Sequence, residues 1–245
     1  MDTTVFYALS ALVALLALTV HEFSHGYAAY KLGDPTAKYM GRLTLNPMKH
    51  LDPIGAVCMV VFRFGWAKPV PINPNYFKKP KRDFAITALA GPLSNILFSF
   101  LSAFLYLLIY SLLKDVPFTS EILFNVAKNT ILFFYLLHLL NINFAVFNML
   151  PIPPFDGSRI LYAILPERIY FKIMKYERQI YYGVLIWLVG GNILSRGLMS
   201  LPMAKGNPVF EIIADILSLS GIIGHVSQFI SDAMIKFWQL ILFLR

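Results

Sequence analysis

No charged residue occurs between Asp83 and Lys114, and none between Asp2 and His21. Written as a helix at ~1.5 Å per residue, the longer run reaches about 45 Å, more than the ~30 Å hydrocarbon core of a bilayer. Hydrophobic residues make up 58% of the 245 and charged residues 14%. A soluble domain of this length could not cover its surface with so little charge. The sequence therefore predicts an integral membrane protein.

Four apolar segments follow one another, at about Thr3–Leu32, Asp83–Leu113, Ile122–Leu150 and Tyr181–Met199. A fifth stretch, Pro208 to Phe243, contains Gly221 and Gly224 as candidate breaks. The expected fold is an all-α polytopic membrane protein with about five to six transmembrane helices. It forms one integral membrane domain over residues 1–245, with a core at about 3–177 and C-terminal helices at about 178–245. The first segment has no basic n-region and no small-residue cleavage site, so it is expected to remain in the mature protein. Cys58, the single cysteine, reads as a small buried hydrophobe.

Charge sets the orientation. The net charge is +8, and Lys31 at the end of the first segment is followed by Lys38, Arg42, Lys49, Arg63, Lys68, Lys78, Lys79, Lys81 and Arg82 before the second. On a membrane protein such an excess marks cytoplasmic loops, and no nucleic-acid partner is expected. Arg159, Arg168, Lys172, Lys175 and Arg178 follow the third segment and return the chain to the same side. The apolar run within Asp52 to Trp66 is too short to cross and has basic flanks, so it is expected to re-enter or lie at the interface. Val70 to Asn75 combines turn chemistry with apolar alternation, which predicts a short strand or β-hairpin.

The first segment ends in His21-Glu22-Phe23-Ser24-His25, the pattern H-E-x-x-H. Four residues apart on a helix, both imidazoles project from one face and reach a single zinc, with Glu22 beside its open position. Zinc lowers the pKa of bound water to about 7, and the carboxylate takes the proton as that water attacks a carbonyl. Three ionisable groups on one turn of a membrane helix need a compensating partner, which a cation supplies. Catalytic zinc takes three protein ligands. Asp156 is the candidate third, presented after Pro151, Pro153 and Pro154 on an extended stretch and followed by Gly157. The charge-based topology puts Asp156 at the same depth as His21 and His25. A helix N-cap is the competing reading of Asp156.

H-E-x-x-H in an early apolar helix, then Asn148-Met149-Leu150-Pro151-Ile152-Pro153-Pro154-Phe155-Asp156-Gly157 after a later one, resembles the site-2 protease family of intramembrane metalloproteases. Gly33 to Ala37, Gly41 to Pro47, Trp66 to Pro71 and Ala90 to Asn95 resemble its compact prokaryotic branch without PDZ or cystathionine-β-synthase-type modules. The resemblance implies one zinc per chain held by His21, His25 and Asp156, with Glu22 as general base and acid. It implies that Asn148 holds the substrate backbone. The implied partners are the lipid bilayer and transmembrane helices, partly unwound and cut within or near the membrane. The implied location is the prokaryotic plasma membrane, with the site toward the cytoplasm. The sequence assigns no oligomeric state.

Asn95 and His50 are further candidates for substrate contact. Arg42 is expected to meet lipid headgroups or pair with Asp34, and His138 to make a buried interhelical hydrogen bond. His225 is given no role. Two functions compete with proteolysis. A sequestering relative of the same fold would not need Glu22. A metal transporter would place its ligands between repeats at the midplane, and the chain has no repeat.

Overall fold

The computed structural model describes residues 2–55, 67–204 and 206–242. Asp2 caps the first helix, its carboxylate accepting from the Thr4 amide at 2.9 Å. Helix α1 (Thr3–Lys31) then runs unbroken until Gly33, whose φ of 109° only glycine adopts without strain. Asp34 starts the next turn by accepting from the amide of Thr36 at 2.9 Å and from its hydroxyl, and α2 (Thr36–Tyr39) follows.

Two long helices complete the frame of the site, α3 (Pro80–Leu113) and α4 (Glu121–Asn148). The two faces that meet are small or polar at four-residue intervals. On α1 they are Val13, Ala17, His21, His25 and Ala29; on α3, Asp83, Thr87, Gly91, Asn95, Ser99 and Ala103, all buried. In a bilayer, helix association rests on such close approach and on interhelical hydrogen bonds, each ~0.6 kcal/mol on average. His25 meets Thr87 and His21 meets Asn95, so α1 and α3 are antiparallel. Asn95 meets Asn141 and Ser99 meets His138, so α3 and α4 are antiparallel too. The apolar core lies away from the polar cluster, where Val13, Leu136 and Leu137 pack with Phe6, Leu9, Phe98 and Leu132 around them.

After α4 come α5 (Asp156–Ile164), α6 (Glu167–Lys175), α7 (Glu177–Met199), α8 (Pro208–Leu217) and α9 (Leu219–Ile241). Helix α9 seats against the core. Trp238 donates to the Phe100 carbonyl at 2.9 Å and lays its ring 4.6 Å from that of Phe100.

Among the described residues, α1, α3 and α4 are long and apolar enough to cross a membrane. The pair Pro208–Ile216 and Gly221–Ile241, bent by 96°, makes a fourth if it is one broken span. The sequence led to about five to six. The expected re-entrant segment falls mostly on residues 56–66, outside the described residues. The expected hairpin does not form among the described residues. Leu51 and Ala67 make an isolated antiparallel bridge, and Pro74–Tyr76 is a 3-10 turn. Pro69 and Pro71 have no N–H to give to a ladder, and neighbouring amides go to side chains of α1 and its C-terminal loop instead.

Candidate metal centre

His21 and His25 sit on the buried face of α1, 3% and 6% exposed, with ring centroids 4.5 Å apart and planes at 89°. Their Nε2 atoms are 3.0 Å from each other, and each is 3.1 Å from Oδ2 of Asp156. Three ligand atoms thus form a nearly equilateral triangle. A tetrahedral zinc with ligands at 2.0–2.1 Å separates neighbouring ligand atoms by about 3.3 Å, so the donor set fits that ion in size and type. Among the described residues this is the one group of histidine and acidic side chains that converges so tightly with metal-ligand chemistry.

Each imidazole is oriented by its other nitrogen. His25 Nδ1 lies 2.7 Å from the Thr87 carbonyl oxygen, and His21 Nδ1 lies 2.6 Å from Oδ1 of Asn95. A carbonyl oxygen can only accept, so Nδ1 of His25 carries a proton, which leaves Nε2 as the atom that would offer a lone pair to a bound ion. Burial pushes the Asp156 carboxyl up, but hydrogen bonds from His21 and His25 outweigh it and hold the group below the usual carboxylate range.

Asp156 opens α5 without capping it. The N-cap is Phe155, and the Asp156 carboxylate goes to the two histidines. Gly157 is needed for close approach, not for a turn of unusual φ. It lies in the first turn of α5, and a Cβ there would stand 2.5 Å from the Met149 carbonyl carbon and 2.6 Å from the Leu150 oxygen. The start of α5 thereby lies against the end of α4, which brings Asp156 back to the histidines.

Glu22 points to a different neighbour. Its Oε2 accepts from the Val70 amide at 2.8 Å, and the Val70 side chain is buried. The segment carrying Val70 is fixed along its length. The Lys68 amide donates to the His50 carbonyl at 2.9 Å, Arg42 Nη2 donates to the Lys68 carbonyl at 2.6 Å, and the Asn73 amide donates to Asp34 Oδ2 at 2.7 Å. Arg42 is 7% exposed and Asp34 is fully buried. Arg42 therefore braces this loop instead of reaching lipid headgroups, and Asp34 holds Thr36 and Asn73. The sequence drew attention to Val70, Asp34 and Arg42 but not to these contacts, because their partners are far away in the chain.

The remaining candidates divide. Asn148 ends α4, and its amide nitrogen donates to the Phe144 carbonyl at 2.9 Å; the Phe144 ring lies 5.0 Å from that of His21. His50 is buried in its loop with Nε2 2.8 Å from the Thr44 carbonyl, outside the ligand cluster. Asn95 is fully buried with both ends of its amide hydrogen-bonded to protein, so a substrate contact does not suit it. His138 joins three helices, with Nδ1 2.8 Å from the Ser99 hydroxyl and Nε2 2.9 Å from that of Ser231. His225 Nε2 lies 2.8 Å from Oδ2 of Asp215 at an exposed position.

The family described as Peptidase family M50 matches residues 8–190. YwhC of Bacillus subtilis (strain 168), assigned by its name to the zinc metalloproteases, is 39% identical over 194 residues, covering 77% of this chain and 84% of that protein. Rip2 of Mycolicibacterium smegmatis, similarly assigned, is 30% identical over 149 residues, covering 58% of this chain and 52% of Rip2. Zinc metalloprotease MJ0392 of Methanocaldococcus jannaschii is 28% identical over 168 residues, covering 69% of this chain and 38% of MJ0392. No solved structure matches the chain.

Proposed function

The chain belongs to peptidase family M50, and on that premise we propose that it is a zinc metalloendopeptidase acting on membrane proteins within or near their transmembrane segments. The observation that carries the reading is the convergence of His21, His25 and Asp156 at 3.0–3.1 Å, with Glu22 next in sequence to the first ligand.

His21, His25 and Asp156 would hold the ion. When bound, zinc supplies Lewis acidity that brings the pKa of a water to about 7. Glu22 would be the group that takes a proton from the attacking water and passes it to the leaving amine. The Val70 N–H holds the carboxylate in one position through Oε2, which limits its freedom before reaction. Asn148 binds the substrate backbone beside the scissile bond. Residue types and family membership support these roles.

Membrane-embedded substrates follow from where the site is built. His21 and His25 sit on α1 and Asp156 opens α5, just after α4; α1 and α4 are both long and apolar enough to cross a bilayer. A peptide bond in an intact helix has its carbonyl already hydrogen-bonded, so the substrate helix unwinds locally before cleavage. The extended segment from Ala67 to Asn73, beside Glu22, offers a backbone for the unwound strand. The basic residues between α1 and α3 lie at the same end of these helices as the ligands. By the positive-inside rule that end faces the cytoplasm of a cell membrane.

The test compares wild type and Glu22→Gln in detergent, using a panel of model transmembrane substrates and metal analysis. Zinc is expected in both and cleavage only with wild type, a loss of at least ~10³-fold. Cleavage that persists in Glu22→Gln overturns the mechanism. Zinc in both without cleavage by either favours a sequestering protein of the same fold.

A further inference from the structure

We propose that Asn95 is the positioning residue for the metal ligand His21, an assignment that rests on the metal-centre reading above. Asn95 is fully buried on the face of α3 that meets α1. Its Oδ1 lies 2.6 Å from His21 Nδ1, and its Nδ2 donates to Oδ1 of Asn141 at 2.7 Å and to the Ala17 carbonyl at 3.2 Å.

These contacts fix the amide orientation without reference to the histidine. The Ala17 oxygen can only accept, so the amide nitrogen of Asn95 faces it and the amide oxygen faces His21. Asn141 requires the same arrangement from the other side. Its own Nδ2 donates to the Leu137 carbonyl at 2.7 Å, which turns its Oδ1 toward Asn95. His21 therefore meets a fixed acceptor and keeps its proton on Nδ1. Its Nε2 lone pair is left pointing at His25 and Asp156. The clamp also joins Ala17 to His21, one helical turn apart on α1, so it holds the turn that delivers the first ligand.

The two ligand histidines differ in a way that makes the inference testable. His25 is oriented by the backbone carbonyl of Thr87, which no substitution removes. His21 is oriented by a side chain. Besides His25, a ring neighbour of His21 is Phe144, which restrains the plane of the imidazole but cannot choose between its nitrogens. Removing the Asn95 oxygen frees His21 to take the other tautomer or turn its ring, and ligand orientation by such partners is worth roughly 10–100-fold in metal affinity.

The experiment measures zinc affinity of the full chain in detergent micelles by competition with a chromophoric chelator. Cobalt(II) substitution reports tetrahedral geometry through its visible spectrum, and melting of the metal-free protein reports the fold. Asn95→Leu, nearly isosteric and without the acceptor, is expected to weaken zinc roughly 10–100-fold and to alter the cobalt spectrum. Asn95→Asp keeps the acceptor but loses both donors. It is expected to melt earlier than wild type while holding zinc within about threefold, a split that a purely structural residue would not produce. Ser99→Ala removes a hydrogen bond from the same face one turn away and is expected to leave zinc affinity unchanged. If Asn95→Leu does not fold, Asn95→Ala takes its place. Wild-type affinity in the variant lacking the acceptor overturns the assignment. So does equal weakening by Ser99→Ala, or loss of zinc by Asn95→Asp in step with its loss of stability. Wild type that binds no stoichiometric zinc overturns the metal centre itself, and the assignment with it.

Discussion

Gly91 of α3 lies against the Nε2–Cε1 edge of His25 of α1, so close that a Cβ on Gly91 would stand 2.5 Å from Cε1 of His25 and 2.7 Å from Cε1 of His21. The helix itself has no need of glycine here, since its backbone is ordinary α and alanine is the better helix former by about 1 kcal/mol. Gly91→Ala is therefore expected to separate fold from site. The helices remain, but the imidazoles must move off the metal-binding geometry, at a cost of about 1–3 kcal/mol in overpacking. Zinc affinity should fall by at least tenfold with unchanged helical content, measured by metal analysis and circular dichroism. Stoichiometric, tight zinc in the variant would mean that α3 can withdraw from α1 and that the close approach is not required.

The bond between the Val70 amide and Glu22 leads to the opposite separation. Val70→Pro removes the N–H but keeps a small apolar side chain in a stretch already flanked by Pro69 and Pro71. The ligands His21, His25 and Asp156 are untouched, so zinc should be retained. The carboxylate loses the contact that holds it, and kcat on a model transmembrane substrate should fall roughly 10–100-fold with little change in KM. Full activity would show that Glu22 is held adequately by α1 alone.

How much of this was legible before folding depends on how far apart the interacting residues are. H-E-x-x-H needs only helical periodicity to bring His21 and His25 together, and Asp156 was reachable because Pro151 and the charge pattern placed it at the same depth. The face of α3 shows in the structure, where Asp83, Thr87, Gly91, Asn95 and Ser99, four residues apart, are all buried. What the pattern could not say is which histidine each residue would meet. The loop was the hardest part. Val70 and Asn73 send their amides to Glu22 and Asp34, which are 48 and 39 residues away. Local turn chemistry therefore pointed to a hairpin where the amides answer to tertiary acceptors.

Asp156 gives the metal-free protein a defined dependence on pH. Its carboxyl is held below its ordinary 3.8 in the folded chain. A depressed carboxyl contributes stability that is present above the unfolded value and is lost as pH falls through the folded one. The melting temperature of metal-free wild type should therefore drop as pH is lowered from about 5 toward 2. Asp156→Asn should be flatter over the same window and should bind little zinc at any pH. Parallel curves for the two proteins would show that the carboxyl is not coupled to the histidines in the metal-free state.

His138 is the point where α9 fastens to the rest of the bundle. Its two nitrogens are 2.8 Å from the Ser99 hydroxyl and 2.9 Å from the Ser231 hydroxyl, and all three residues are buried. The same faces of α3 and α4 that carry Asn95 and Asn141 continue into this second cluster, one helical turn farther from the ligands. The α9 contact is therefore separable from the metal centre. Ser231→Ala should cost about 0.6–1.7 kcal/mol of stability, the range for polar contacts between membrane helices. His138→Leu should cost more, because it also leaves the Ser99 hydroxyl with one partner fewer. Neither should change zinc affinity. Limited proteolysis is the discriminating measurement, with faster cutting near Ser218, the junction of α8 and α9, expected in both variants and more in His138→Leu. Cutting at the wild-type rate would mean that Trp238 and its aromatic partners hold α9 without help from the polar cluster.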